Sequence, residues 1–163
     1  MAKDKNIKTN AMRILDTMKI DYEVKTYECD EFIDGISVAK KLNQNPEQTF
    51  KTLVTQGKSG GYFVFVLPVA EELDFKKCAK IVGEKSVEMI HVKDINKVTG
   101  YIRGGCTSIG MKKQYPTVIH ESAMDFDKIM VSAGKIGMQL ILSPEDLVKA
   151  ANAQVGDILM HNE

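Results

Sequence analysis

The runs TFKTLVTQ (residues 49 to 56) and YFVFVLPV (62 to 69), separated only by GKSGG, constrain this chain more than any other feature. Two stretches rich in β-branched and aromatic residues, on either side of a glycine-bearing turn, predict an antiparallel hairpin. The second run is almost wholly apolar, the pattern of a strand covered on both faces. A fold built on such a hairpin needs elements packed above and below it.

The rest of the chain can supply them. Ala11, Ile14, Leu15 and Met18 recur at helical spacing behind Thr9 or Asn10, predicting an amphipathic helix over residues 9 to 20. YEVKTY (22 to 27) reads as the first strand and CDEFIDG (29 to 35) as a loop. Ser37 is the expected cap of a short helix that presents Val38, Ala39 and Leu42 before Pro46 interrupts. Asp74 caps a helix with Phe75, Cys78, Ala79 and Val82 on one face, and Gly83 suits its left-handed C-terminal position.

SVEMIHV and TVIHES are strand patterns, DINKV is a helical turn, and KIMVSAGKIGMQLIL is a second hairpin that turns at AGKIG. In SPEDLVKAA, Ser143 caps, Pro144 takes the first helical position and Asp146 the third. Strands paired by hairpins dominate the middle, without regular βαβ alternation. The expected class is α+β, mixed α/β, with a mostly antiparallel mixed sheet or barrel flanked by helices. With 163 residues and no repeat or linker, residues 1–163 read as a single domain large enough to need no staple.

Composition narrows the function. The three cysteines, Cys29, Cys78 and Cys106, are odd in number and irregularly spaced, which fits neither a disulfide framework nor a metal knuckle. No segment has the length of a signal peptide's apolar run or of a membrane span, so a cytoplasmic protein is expected. Net charge is zero, so the whole molecule exerts no strong pull on nucleic acid. Any polyanion must be gripped locally; the candidates are Arg103, Lys112 and Lys113, with Lys51 and Lys135, against the alternative of a merely solvated surface.

The stretch GYIRGGCTSIGMKK (100 to 113) invites a reading of Cys106 as a nucleophile, which would need a base and an oxyanion hole. The available histidines are His91, His120 and His161, and none is spaced as a partner. No metal-ligand spacing occurs, and the GxxxxGK[ST] phosphate loop is absent, so neither metal nor cofactor is expected. Two readings remain for the loop. It is either an ordinary connection or a wall whose Gly104 and Gly105 let the backbone approach a ligand. Lys51, inside an otherwise packed run, is likewise either an exposed strand lysine or a cation turned into a pocket beside Thr52.

FKTLV around Lys51, FVLPVAEELDFKK (65 to 77), TGYIRGGCTSIGMKK (99 to 113) and VSAGKIGMQLILSPEDL (131 to 147) occur in the order found in the YbaK/EbsC family, which this chain resembles over nearly its whole length. Those small bacterial proteins deacylate mischarged tRNA, notably Cys-tRNA(Pro), and are related to the editing domain of bacterial prolyl-tRNA synthetases. The resemblance implies a central, mostly antiparallel mixed β-barrel wrapped by helices. It also implies a site: Lys51 and Thr52 at the pocket, Gly104 and Gly105 as its backbone wall, Ser132 and Gly134 bordering the substrate, and Tyr27 lining it. It departs at Gln139, where some members carry an acid, and at Thr107-Ser108, where a proline is frequent and the loop would be stiffer.

An aminoacyl-tRNA is an activated ester, so a site of backbone amides that positions the carbonyl can suffice. The resemblance suggests that the substrate cysteine's own thiol attacks the ester. Lys51 is then expected to contact the terminal adenosine phosphate or order the ester, and the Gly105 N–H to polarise the carbonyl. The implied partners are the tRNA acceptor end and prolyl-tRNA synthetase, which would supply the grip that a neutral domain lacks. Two other readings stay open: a water-using Ala-tRNA(Pro) deacylase and a non-catalytic tRNA- or synthetase-binding module.

Overall fold

The structure is a computed structural model, and it describes residues 8–28 and 34–160. Cys29, His161 and the centre of the CDEFIDG loop fall outside the described residues. Among the described residues five α-helices occur: α1 (Asn10–Thr17), α2 (Gly35–Lys41), α3 (Phe75–Val82), α4 (Ile95–Thr99) and α5 (Pro144–Ala151). Eight strands accompany them: β1 (Glu23–Thr26), β2 (Phe50–Gly57), β3 (Tyr62–Pro68), β4 (Val87–Met89), β5 (Thr117–His120), β6 (Ile129–Ser132), β7 (Met138–Leu142) and β8 (Gln154–Gly156).

The expected first hairpin is β2–β3, paired from Phe50 with Pro68 to Gln56 with Tyr62. It is the middle of a five-stranded sheet ordered β4-β2-β3-β5-β8. β4 pairs antiparallel with β2, whereas β5 and β8 add in parallel beyond β3. The second hairpin, β6–β7, joins β1 in a three-stranded antiparallel sheet. The class is therefore α+β, with most strand pairs antiparallel.

Among the described residues the hydrogen-bonded strands form two sheets rather than the single ring that the resemblance implied. They meet at a parallel bridge between Thr49 and Met130, where the Met130 N–H donates to the Gln48 carbonyl at 3.1 Å. The edge of β2 opposite β3 is shared: β6 touches its start and β4 takes Thr55 to Gly57. No long ladder between the sheets can form on an edge divided in this way.

β3 is buried on both sides, as its composition required. Val66 faces a core shared with Phe50, Ile119, Val131, Leu140 and Leu142 of both sheets, closed by Leu15 of α1 and Leu147 of α5. Phe65 and Leu67 face a second core with Val118 and the Cys78 of α3. Each such Leu or Phe contributes about 1.5–3 kcal/mol of burial. Helix starts follow their side chains: Thr9 accepts the Met12 N–H, Asp74 those of Lys76 and Lys77, and Ser143 that of Asp146. For α2 the cap lies earlier than expected. Asp34 accepts the Ser37 N–H, so Ser37 sits inside the first turn, because a carboxylate at that position outcompetes a hydroxyl three residues on.

Candidate functional site

The turn between β6 and β7, residues 132 to 137, brings together Tyr27, Gly105, Ser132 and Gly134 of the expected site residues. Gly134 and Gly137 both adopt left-handed backbone angles, φ 98° and 90°, open to glycine at little cost. Three parts of the chain press against this turn. A Cβ on Gly105 would stand 3.0 Å from the Ile136 nitrogen and 3.1 Å from the Lys135 backbone, so the glycine loop abuts it directly. A Cβ on Gly134 would stand 2.9 Å from the Tyr101 ring. Tyr27 donates its N–H to the Gly137 carbonyl at 2.9 Å, and its own carbonyl lies 3.0 Å from where a Gly137 Cβ would be.

Tyr101 holds the two loops together and is a residue that sequence reasoning passed over. Its hydroxyl donates to the Ile109 carbonyl at 2.6 Å while its ring covers Gly134. A tyrosine beside a glycine is an unremarkable pattern in a string, and only the fold shows which backbone it covers. Ser132 closes the turn from the strand side, its hydroxyl accepting the Gly134 N–H at 3.3 Å.

Lys51 lies on β2, on the sheet face that continues across the bridge toward β6. Thr49 and Met130 pair at the bridge, and side chains alternate along strands, so Thr49, Lys51, Met130 and Ser132 lie on one face, with Gln139 opposite Ser132. The Lys51 ammonium donates to the Val69 carbonyl at 3.2 Å. Burial lowers its pKa from the usual 10.5, an effect countered by the charges of Glu72, Glu71 and Asp34. Thr52, the next residue, leaves β2 on the opposite face, toward the side where Val54 packs with Cys106. Lys51 and Ser132 thus share a face of the bridged sheets, and the Thr52 side chain lies on the other.

Gln139 is buried and engages Gln44 reciprocally. Gln44 Nε2 donates to Gln139 Oε1 at 2.7 Å, and Gln139 Nε2 donates to Gln44 Oε1 at 2.9 Å. Neutral amides on this face therefore satisfy one another, tying the segment after α2 to the smaller sheet.

Gly104 is exposed with φ 85°, whereas Gly105 is buried. The Gly105 N–H donates to the Ile102 carbonyl at 2.9 Å, so the donor expected to face a substrate carbonyl is occupied by a turn. Cys106 packs against the cluster of Val54, Val64 and Val98, and desolvation pushes its thiol up to about 12. It is a protonated packing residue at neutral pH.

Neither of the two described histidines serves it. His91 is exposed, and His120 Nδ1 accepts the Ser122 N–H at 3.1 Å while Nε2 faces Asp157 at 3.3 Å. Ser122 Oγ is 2.9 Å from the same Nδ1, but that lone pair is already engaged by the backbone and Asp157 is paired with Lys77. The string is a cap on a short 3-10 turn. Among the described residues no three His, Cys, Asp or Glu side chains are arranged to hold a metal ion, and no helix is long and apolar enough to cross a membrane.

The family profile of the aminoacyl-tRNA editing domain matches residues 35–150. The chain belongs to that family. It is 48% identical over 162 residues to EbsC of Enterococcus faecalis (strain ATCC 700802 / V583), covering 97% of this chain and 98% of the relative, whose assignment as a Cys-tRNA(Pro)/Cys-tRNA(Cys) deacylase is provisional. The fold is shared with the hypothetical protein APE2540, at a TM-score of 0.85 and 19% identity over 93% of this chain and 100% of that one. It is shared equally with a protein described provisionally as a trans-editing enzyme for prolyl tRNA synthetase, at a TM-score of 0.82 and 20% identity over 95% and 99%. At those identities the likeness speaks for the fold alone.

Proposed function

We propose that this editing-family protein removes cysteine from mischarged tRNA, Cys-tRNA(Pro) foremost, as a cytoplasmic trans-editing deacylase. The observation that carries this reading is a site in which no side-chain nucleophile is paired with a base among the described residues. The loop thiol is held protonated, neither described histidine adjoins it, and what converges is backbone around the 132–137 turn. Such a site suits an activated ester whose amino acid brings its own nucleophile. A cysteine thiol with its ordinary pKa of ~8.5 is a few per cent ionised at neutral pH, which is enough when it is held beside the carbonyl.

In the proposed step the substrate sulfur attacks the ester carbonyl carbon, the bond to the ribose oxygen breaks, and that oxygen leaves as the tRNA hydroxyl with the thiol's proton. The product is a cyclic thioester that water opens. Gly105 contributes by letting its loop lie against Lys135–Ile136. With its own N–H turned to Ile102, the Cys106 N–H, which donates to no acceptor among the described residues, is assigned to polarise the carbonyl. Ser132, Gly134 and Tyr27 border the acyl group. Thr52 contributes from the opposite face by setting the course of β2. Lys51 orders the ester rather than holding a phosphate, since Asp34, Glu71 and Glu72 already crowd it with negative charge. The two bridged sheets act as the halves of the barrel, and prolyl-tRNA synthetase is the partner that would deliver the tRNA.

The test is deacylation of Cys-tRNA(Pro), Ala-tRNA(Pro) and Pro-tRNA(Pro), together with Cys-tRNA(Pro) whose thiol has been methylated. Loss of cysteine alone, abolished by methylation, is expected. Equal cleavage of the methylated or alanyl ester would overturn the substrate-assisted step, and no cleavage of any ester would leave only a binding module.

A further inference from the structure

The sequence nominated Lys112 and Lys113 as part of a local basic patch, and the proposed chemistry above leaves both unused. They border a surface cleft of about 310 Å³, walled by Ile14 of α1 and Ala150 of α5 and floored by the segment from Ser108 to Thr117. Its lining includes two lysines and no carboxylate. Neither lysine has an ion-pair partner among the described residues, although Lys8, Lys77, Lys97 and Lys128 all do. In a chain of zero net charge, two adjacent uncompensated cations in a concave site form a local field that the whole molecule does not dilute.

The cleft is also fixed in place. The Lys112 stem lies over Gly100, whose Cβ would stand 3.3 Å from it, and Lys112 N–H donates to the Thr99 carbonyl at 3.0 Å. Gln114 Nε2 donates to the Ala151 carbonyl at 2.8 Å, and the Tyr115 hydroxyl to the Val98 carbonyl at 2.7 Å. Gly110, where the loop enters the cleft, packs against Asn10, Ile14 and the Tyr101 hydroxyl. Tyr101 is the same residue whose ring covers Gly134, so one side chain spans the wall between cleft and turn. Lys112 and Lys113 follow Gly105 by seven and eight residues, a reach of at most ~29 Å. That is the distance of a few nucleotides from the ester.

We infer that this cleft binds phosphodiester groups of the tRNA 3′ end, with Lys112 and Lys113 as the cations that engage them. The inference rests on the deacylase reading for its ligand, but not for its test. It gives the site a division of labour. The glycine loop's first half faces the ester, and its second half grips the backbone leading away from it.

The experiment uses the full chain and uncharged tRNA(Pro), with binding measured across a salt series, and in parallel compares deacylation of Cys-tRNA(Pro) with that of cysteinyl-adenosine. Two phosphate contacts at about 0.7 to 0.9 each predict that Lys112→Ala/Lys113→Ala flattens the slope of log affinity against log salt by about 1.4 to 1.8. The preference for the full tRNA over the minimal ester falls several-fold, and Lys112→Arg/Lys113→Arg restores both. An unchanged salt slope in the alanine pair overturns the inference. Because tRNA binding is read without turnover, a protein that cleaves no ester refutes the deacylase reading while the salt slope still decides the cleft.

Discussion

Gln44 and Gln139 offer the most direct measure of what the outer face of this site costs to hold. Gln139 is 4% exposed and its amide is met by Gln44 through bonds of 2.7 and 2.9 Å. Gln44→Ala removes both partners at once and leaves a buried amide with nothing to bond, a cost of about 1–3 kcal/mol, for which 2 is a fair centre. Gln139→Ala strands Gln44, which is only half-buried and can turn to water, so its cost is nearer 1 kcal/mol. The double variant removes both orphans together. It loses packing but no longer buries an unpaired amide, so it sits about 1–2 kcal/mol above the sum of the singles. Urea unfolding of the four proteins measures this through the midpoints at constant m. Additivity within about 0.5 kcal/mol would refute the reasoning, and would mean that water satisfies the amides as well as they satisfy each other.

Further outcomes follow from the same geometry. Gly105→Ala places a methyl 3.0 to 3.1 Å from the Lys135–Ile136 backbone, which cannot swing aside as a side chain would. Overpacking of about 1–3 kcal/mol lowers Tm by about 2–12 °C by calorimetry, and deacylation is lost with it. Cys106→Ala retains most deacylation, and iodoacetamide leaves the wild type active at neutral pH, because the thiol is pushed up to about 12; a folded but inactive Cys106→Ala would restore the thiol to the mechanism. Lys51 has a folded pKa below its unfolded 10.5, so in the window between the two the native state binds fewer protons than the unfolded chain and stability rises with pH. The stability of wild type relative to Lys51→Met therefore increases as pH climbs from neutral toward 10.5, measured by urea midpoints; a flat or falling difference counts against a desolvated ammonium.

The two hairpins, the both-sided burial of β3 and most caps were legible in the string because each rests on local chemistry: turn glycines, β-branched runs, a Ser or Asp ahead of an apolar face. What escaped was set by partners distant in sequence. β8 is three residues long and forms only because β5 offers an open parallel edge, which no local pattern announces. Asp34 took the cap assigned to Ser37 because two capping residues stood three apart and the charged one prevailed. Among the described residues no ladder closes the ring implied by resemblance, and the two sheets meet only at a bridge because β4 and β6 divide one edge of β2.

The glycines around the site follow the same division. Gly104, Gly105 and Gly134 could be singled out from sequence as places where backbone can approach something, but not what approaches. The structure answers that the first thing to approach is another loop. Gly105 meets Lys135–Ile136, Gly134 meets Tyr101, and Gly137 meets Tyr27, so these glycines are consumed in assembling a wall before any ligand arrives. A wall made in this way owes its shape to three close approaches, two between backbones and one of backbone to the Tyr101 ring, each of which a single added methyl would disturb. Under the proposed mechanism the site's catalytic side chains can be few, since a substrate that carries its own thiol asks only to be held still. Loss of activity in a Gly134→Ala variant at unchanged tRNA affinity, measured side by side with Gly105→Ala, would show that holding the acyl group and gripping the RNA are separate tasks of the two loops; a parallel loss of both would tie them to one.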